Sequence, residues 1–518
     1  MEAESKLALA PVFSDHMVLQ REKTICIFGR GTPASCVSVA LGEAAAQTVV
    51  RPDGCWAAAL PAQAAAAGLT MTVQDGQDAC VVRDVAIGEV WLAGGQSNME
   101  FPLYFDADFP AEQADASDAD LRFFDQPELC YAGQENDFDY SQMGVWRRCD
   151  EKNLAWFSAV GYYFAVRLRR ALGVPVGILG CNRGGSVSAA WMCRASYERC
   201  GGSWKTEYAG LTEEKLAELR ARYRGQPNAN TGRPFDDPVS VQLMLGMPYT
   251  EQKKLLELLP PELMAPAGPD FANRPACLYE NMLLPLAPYT LRGVLWYQGE
   301  SDARHPEVFK AMTGALIEDW RALWGEELPF CCVQLAPFAR WMGCDGAAFP
   351  ALRQMQAALS QEKKNVFLVS ASDAGMRDDI HPKRKAPLGR RLALCALRHV
   401  YGFSVEADAP FGSKAWWQDG QLYIRFAQTA GGLLLRGSRV HALRVTAQLP
   451  AGERCYDEPE GSAAGADLLA VRLPREAVGM PCTVSYAQTD YYEVNLYNLA
   501  GMPALPFCCS VKEGAHTV

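Results

Sequence analysis

Hydrophobic and polar residues follow one periodicity near the start of the chain and another further along it. From Ala8 to about Asp84, short runs of β-type residues, among them TICIFGRG, VSVAL and LTMTVQ, are separated by Gly, Pro and Asp-Gly turns. Almost no helical periodicity interrupts these runs. The pattern predicts an N-terminal β-rich domain over residues 1–84.

From Val85 onward, strand-like apolar runs alternate with amphipathic helical segments. A helix predicted in WFSAVGYYFAVRLRRALG, with Gly173 as its C-cap, leads into the strand VPVGILGC. Strands in TLRGVLWYQG, LPFCCVQL and NVFLVSAS then alternate with helices in PEVFKAMTGALIEDWRALW and ALRQMQAALSQ. This alternation predicts an α/β domain over residues 85–402, with a doubly wound parallel sheet and helices on both faces.

Two further segments are set apart by their composition. A polar insertion at about residues 194–276 contains the helical stretch LTEEKLAELRARYRG, whose charges recur at helical spacing and indicate a solvated face. After the helix PLGRRLALCALRHVYG, β-type runs return in QLYIRFAQ, GLLLRG and CTVSYAQ. They predict a C-terminal β-rich region over residues 403–518.

Composition narrows the possible partners. With 518 residues, a net charge of −11 and only the short Lys383-Arg384-Lys385 run as its longest basic cluster, the chain is not expected to bind nucleic acid. No stretch is long and apolar enough to span a membrane, and the residues before Pro11 lack the apolar core of a signal peptide. The 18 cysteines are scattered, with no CxxC pair, which indicates reduced thiols and no metal site. We therefore expect a cytoplasmic protein with no membrane partner, whose oligomeric state stays open.

The stretch GEVWLAGGQSNMEF places a serine where an apolar strand ends. The strand VWLA breaks at Gly94-Gly95, and these small residues clear space around the hydroxyl of Ser97. Ser97 is therefore a candidate nucleophile. Alternatively, Ser97 or Asn98 simply caps the next helix.

A serine nucleophile needs a histidine as its base and an acid that orients the imidazole ring. His381 is the strongest candidate because it lies in the loop after the strand NVFLVS, at the sheet edge where Ser97 is expected. Asp378 precedes it by three residues, a spacing that a tight turn can close. His305, after WYQGESDAR, is a second candidate. The remaining histidines lie in contexts typical of structural residues: His16, His399, His441 and His516.

Two other strand ends supply candidate donors for an oxyanion. Gly184 and Gly185 follow a strand in ILGCNRGGS, where backbone N–H groups can approach closely, and Gln298 in LWYQGESD offers a side-chain amide. Each could also be an ordinary strand-to-helix turn. The convergence of four strand ends favours the catalytic interpretation.

The blocks GEVWLAGGQSNM, NRGGS with AAW, LWYQGESD and DDIHP resemble, in order, the motifs of the sialate O-acetylesterase family of SGNH hydrolases. The opening PVFSDHMVLQR resembles the family's N-terminal β-domain. The resemblance implies an SGNH-type, flavodoxin-like catalytic domain with no metal or organic cofactor. It also implies these site residues: Ser97, His381 and Asp378 as the triad; and the Ser97 N–H, Gly184 or Gly185, and Gln298 as the oxyanion hole. Separately, we expect Glu300 and Asp302 to be noncatalytic groups that hold the Gln298 loop.

The resemblance implies a serine-dependent carbohydrate O-acetylesterase, with O-acetylated sialic acid as the favoured substrate and acetylated xylan or another sugar as alternatives. Arg183 and Ala189 depart from the family's usual Trp-Gly-Gly-Thr and following acidic residue, which affects the expected substrate pocket. An α/β-hydrolase is a poor alternative because Met99 stands where Gly-x-Ser-x-Gly needs its last glycine. The rival from another class is a noncatalytic carbohydrate-binding protein.

Overall fold

The computed structural model describes residues 7–114, 117–131, 134, 143–210, 212–223, 238–258 and 273–512. The first strands are β1 Ala8–Leu9, β2 Val18–Gln20, β3 Ile25–Arg30, β4 Cys36–Leu41, β5 Ala44–Val49, β6 Cys55–Leu60, β7 Ala66–Gln74 and β8 Ala79–Gly95. Strands β1, β3 and β6 form one sheet, whereas β4, β5 and β7 join a larger sheet through β8.

The middle of the chain alternates strands with helices. The strands are β9 Ser117–Asp125, β10 Trp146–Asp150, β11 Val176–Asn182, β12 Gly293–Tyr297, β13 Phe330–Val333, β14 Arg340–Trp341, β15 Cys344–Asp345 and β16 Val366–Val369. The helices are α1 Ser97–Glu100, α2 Phe109–Ala114, α3 Ala159–Leu172, α4 Arg194–Cys200, α5 Ser203–Tyr208, α6 Glu213–Tyr223, α7 Pro238–Gly246, α8 Tyr249–Leu258, α9 Pro306–Trp324, α10 Phe349–Glu362 and α11 Ala386–His399.

Strand β8 belongs to both of the regions that the sequence separates. Its first part pairs antiparallel with β7 and parallel with β2, and its last part pairs parallel with β11 and β12. One continuous strand therefore crosses the expected boundary after residue 84. The division into domains at that point stays a prediction.

The central sheet has the strand order β10-β9-β11-β8-β12-β13-β16, and every neighbouring pair from β9 to β16 is parallel. Successive β8 residues face opposite sides: Trp91 joins the core formed with α3 and α11, and Leu92 joins the core formed with α9. Helices thus cover both faces of the sheet. The expected α/β class is confirmed.

Local capping explains where helix α3 begins and ends. The Ser158 hydroxyl accepts the N–H of Gly161 at 3.0 Å, which satisfies one of the free donors of the first turn. Gly173 ends the helix in the left-handed conformation, with φ of 67°, as expected for a glycine C-cap.

The C-terminal strands are β17 Phe411–Gln418, β18 Gln421–Ala427, β19 Leu433–Leu435, β20 Leu443–Leu449, β21 Gly452–Asp457, β22 Glu460–Ala463, β23 Leu468–Arg472, β24 Cys482–Tyr486, β25 Leu496–Asn498 and β26 Phe507–Val511. They form two four-stranded sheets and one pair around a shared core. Buried Arg353 of α10 ties this region to the central one, because its guanidinium donates to the carbonyls of Thr489 and Asp490, each at 2.8 Å.

Within the described ranges, no helix combines the length and apolar character needed to cross a bilayer. Over the same residues, no three His, Cys, Asp or Glu side chains gather in a way that could hold a metal ion.

The contact between α3 and α11 leaves no room for a side chain at Gly389. A Cβ there would lie 2.6 Å from the Cβ of Tyr163 and 2.7 Å from the carbonyl oxygen of Val160. We predict that Gly389→Ala lowers the free energy of unfolding by about 1–3 kcal/mol, since the two backbones must move apart.

Gly314→Ala in α9 is the matched control. Its Cβ would meet first the flexible end of Lys363 at 3.0 Å, so the gain in helix propensity makes this change neutral or stabilising. Thermal unfolding of both variants tests the difference, and equal losses would contradict it.

Candidate active site

Ser97 lies at the first position of the short helix that follows β8. Gly95 before it has φ of 134°, and a Cβ there would come within 2.1 Å of the carbonyl oxygen of Tyr297. Glycine is therefore required at this turn. Gln96, not Ser97 or Asn98, occupies the N-cap position, and no side-chain capping bond forms. The alternative that Ser97 or Asn98 is only a helix cap is not supported.

The Ser97 hydroxyl contacts the imidazole of His381, with 2.9 Å between Oγ and Nε2. The ring is buried between Phe101, which stacks on it, and Trp341, which packs edge to face at 4.9 Å between centroids. Burial lowers the pKa of His381 below its ordinary value. The neutral ring is thereby favoured, and a neutral ring can accept the serine proton.

The acid that faces the imidazole is Asp379, not Asp378. Asp379 is buried, its Oδ1 lies 3.7 Å from Nδ1 of His381, and its Oδ2 lies 2.8 Å from Nζ of Lys383. Burial would raise the pKa of Asp379, but His381 and Lys383 outweigh it and hold the pKa below the ordinary value. The Asp378 side chain is 40% exposed and accepts a hydrogen bond from Nε of Arg340 at 2.7 Å. The expected position of Asp378 against the ring was therefore wrong.

The local reason is a turn in which Asp379 binds the backbone two residues ahead. Its Oδ1 accepts the N–H of His381 at 2.8 Å, the short-range bond that aspartate side chains commonly form. The same oxygen therefore faces the imidazole of that residue. Asp378 is left on the outer side of the turn, where Arg340 meets it.

Among the expected oxyanion donors, Gly184 lies beside the nucleophile. A Cβ on Gly184 would come within 3.5 Å of the Cβ of Ser97, whereas a Cβ on Gly185 would meet nothing within 4 Å. Gln298 is buried, and its amide nitrogen already donates to the carbonyl of Ser186 at 2.8 Å and to Oδ2 of Asp302 at 2.9 Å. Both amide hydrogens are thus engaged within the protein, so the expected role of Gln298 as an oxyanion donor gains no support from these contacts and stays a prediction.

Glu300 and Asp302 are buried acids that bind neighbouring loops. Asp302 accepts the N–H and the hydroxyl of Ser188, each at 2.9 Å, and burial raises its pKa to about 6. Glu300 accepts the side-chain amide of Asn98 at 2.5 Å, and burial raises its pKa to about 7. These contacts are those of groups that hold the loop in place.

Lys385 completes a buried polar network that links the serine to the histidine loop. Its ammonium donates to Oδ1 of Asn98, whose amide also donates to Glu300 and to the carbonyl of Ile380. Burial lowers the pKa of Lys385 to about 7. Its ammonium also lies 4.6 Å from the centre of the Phe101 ring. The sequence identified Lys383 to Lys385 only as a short basic cluster, and nothing in that pattern signalled burial.

A second buried group that the sequence did not single out flanks Gly184. Oε2 of Glu100 would lie 3.0 Å from a Cβ at Gly184. The pKa of Glu100 is raised to about 8, mainly by burial and secondly by the negative charge of Glu128. Arg183 forms a buried ion pair with Glu128. Arg183, one of the departures from the family pattern, is thus paired within the protein next to the serine.

The remaining candidate histidine serves elsewhere. The His305 ring contacts Oε2 of Glu207 at 2.9 Å and packs edge to face on Trp204. Two others pair with carboxylates: His16 with Asp84 and His399 with Asp408. His516 lies outside the described residues.

The chain is similar to known esterases. A family profile described as "Carbohydrate esterase, sialic acid-specific acetylesterase" matches residues 269–398. Sialate O-acetylesterase of Mus musculus is 27% identical over 76% of this chain and 73% of its own length, and the Homo sapiens protein is 25% identical over 76% and 71%. A crystal structure of a carbohydrate acetylesterase from Xanthomonas citri is 29% identical, covers 97% of this chain and 99% of its own, and has a TM-score of 0.73. These similarities confirm the resemblance to the sialate O-acetylesterase family and identify a carboxylic ester hydrolase.

The geometry predicts opposite outcomes for two adjacent acids. Asp379→Asn is expected to lower kcat for ester hydrolysis by about 10²- to 10⁴-fold, because an orienting carboxylate stabilises the imidazolium that forms in the reaction. Asp378→Asn is the matched control and is expected to keep kcat within about threefold, the change that a weak surface ion pair allows. Steady-state kinetics on folded protein measures both, and a larger loss for Asp378→Asn would restore the triad expected from the sequence.

Proposed function

We propose that this ester hydrolase is a serine-dependent carbohydrate O-acetylesterase that removes O-acetyl groups, with O-acetylated sialic acid as its favoured substrate. The observation that carries the proposal is the 2.9 Å contact between Ser97 Oγ and His381 Nε2. The acetylated sugar is suggested by the names of the similar proteins, which are sialate O-acetylesterases and a carbohydrate acetylesterase. The strand order β11-β8-β12-β13-β16 supports an SGNH-type, flavodoxin-like catalytic domain.

The reaction begins when Ser97 Oγ attacks the acetyl carbonyl and its proton passes to Nε2 of His381. The imidazolium then gives that proton to the departing sugar hydroxyl, which leaves an acetyl group on Ser97. Water attacks this ester, gives a proton to His381, and releases acetate as the serine is reprotonated. Asp379, held as a carboxylate, stabilises the imidazolium in both steps.

Negative charge on the carbonyl oxygen needs donors near Ser97. The N–H of Ser97 lies in the first turn of α1, where backbone donors have no partner within the helix. Gly184 is the second proposed donor because a Cβ built on it would lie 3.5 Å from the Cβ of Ser97, so this residue flanks the nucleophile. Its N–H also interacts with the Glu100 carboxyl, and an oxyanion would compete for it. Gln298 supports this site through its bond to the carbonyl of Ser186. These assignments place the developing charge between the ends of β8 and β11.

We predict that Ser97→Ala loses acetate release by at least about 10³-fold while its melting temperature stays close to that of the parent. Acetate is measured over a panel of O-acetylated sialic acids, acetylated xylo-oligosaccharides and acetylated peptidoglycan fragments. Ser301→Ala, a half-buried serine after β12, is the control. A Ser97→Ala protein as active as the parent would refute the mechanism, and a preference for xylo-oligosaccharides would replace the proposed substrate.

The pH dependence follows from the buried imidazole. Only neutral His381 accepts the serine proton, so kcat/KM rises as pH increases through the pKa of His381. Because burial lowers this pKa, the midpoint is expected below about 6.5, the ordinary histidine value. Asp379 favours the charged ring, so Asp379→Asn is expected to move the midpoint to still lower pH, whereas Asp378→Asn leaves it in place. A midpoint above the ordinary value would contradict the buried neutral ring.

A further inference from the structure

Helix α8 of the polar insertion reaches the loop that carries His381. Gln252 of this helix is fully buried. Its amide nitrogen donates to the carbonyl of Met247 at 2.8 Å and to that of Asp378 at 3.1 Å, and its amide oxygen accepts the N–H of Met342 at 3.1 Å. One side chain therefore joins the insertion, the histidine loop and the β14–β15 hairpin.

Helix α7 makes a second contact with the same loop. The ammonium of Lys383 donates to the carbonyl of Met244 while it pairs with Oδ2 of Asp379 at 2.8 Å. The insertion thus holds the cation that neutralises the acid behind the imidazole. Lys383 is half-buried and its pKa is lowered by burial, so a fixed backbone acceptor helps to keep the ammonium in this position.

The hairpin that Gln252 binds also contacts the catalytic ring. Met342 follows Trp341, the side chain that packs edge to face on His381. The backbone N–H groups of Ala339 and Arg340 both donate to the carbonyl of Arg377 at 3.1 Å, which ties the hairpin to the histidine loop directly. Gln252 of α8 adds a further contact to this hairpin, because its amide oxygen accepts the N–H of Met342.

From these contacts we propose that Gln252 is a positioning residue: it fixes the histidine loop and the Trp341 hairpin, and so holds Asp379 and His381 in line with Ser97. The inference rests on the proposed function and assigns a role to the insertion within it. A buried amide with partners on three segments is costly to remove. The N–H of Met342 and the carbonyl of Asp378 would each lose the hydrogen bond that Gln252 makes to them.

The test compares Gln252→Leu and Gln252→Glu with the parent enzyme. Both substitutions keep the approximate size of the side chain and remove the donor to Asp378, and Gln252→Glu keeps an acceptor for Met342. We expect kcat for acetate release to fall about 10- to 100-fold with little change in KM, the size that a small misplacement of catalytic groups produces. Lys254→Gln, an exposed position on the same helix, is the control with unchanged kcat. Gln252→Glu carries the test if Gln252→Leu does not fold.

A double-mutant cycle separates positioning from a purely structural role. In an Asp379→Asn background, Gln252→Leu or Gln252→Glu is expected to lower kcat by less than about threefold, since residues that act through one another are not additive. The same loss in both backgrounds, or parent-like kcat in both single variants, would overturn the proposal. A Ser97→Ala enzyme that remains active would instead refute the proposed function, so the two failures are distinguishable.

Discussion

The active-site edge depends on the burial of one ammonium group. Lys385 is fully buried, and an unpaired charge in such a place would cost several kcal/mol. Its compensation comes from Asn98, the residue after the nucleophile, from nearby Glu300, and from the face of Phe101. Because the lysine follows the histidine loop and its partners follow β8 and β12, satisfying this charge brings three strand ends together.

Two buried acids near Ser97 have pKa values shifted in opposite directions. Asp379 lies between the imidazole of His381 and the ammonium of Lys383, so it stays ionised despite burial. On the other side of the serine, Glu100 is kept neutral by burial and by the neighbouring Glu128. Burial raises the pKa of both acids, but the net results are opposite: His381 and Lys383 outweigh burial at Asp379, whereas Glu128 adds to it at Glu100.

The sequence predicted most of the fold because its helices carry apolar stripes and clear stop signals. Helix α9 spans the predicted PEVFKAMTGALIEDWRALW segment, and the glycine C-cap of α3 lies where it was expected. The pairing of Ser97 with His381 also followed from strand ends. The acid that faces the imidazole was not predicted correctly, because residue spacing alone cannot decide which of two adjacent carboxylates turns inward. The tendency of aspartate to bind the N–H two residues ahead favours Asp379 and was the signal available. The role of Gln298 depended on Asp302 and Ser186, contacts that no local pattern reveals.

The continuity of β8 has a consequence for how such a protein can be divided or recombined. A fragment that starts at residue 85 would keep Ser97, but it would remove β2 and β7, the partners of Val85 to Gly88. The buried backbone N–H and C=O groups of β8 from Val85 to Gly88 would then lose the partners that β2 and β7 supply. A crossover at this point between two homologous genes would join half-strands whose partners were selected separately. The N-terminal strands and the serine are therefore expected to be inherited as a single unit.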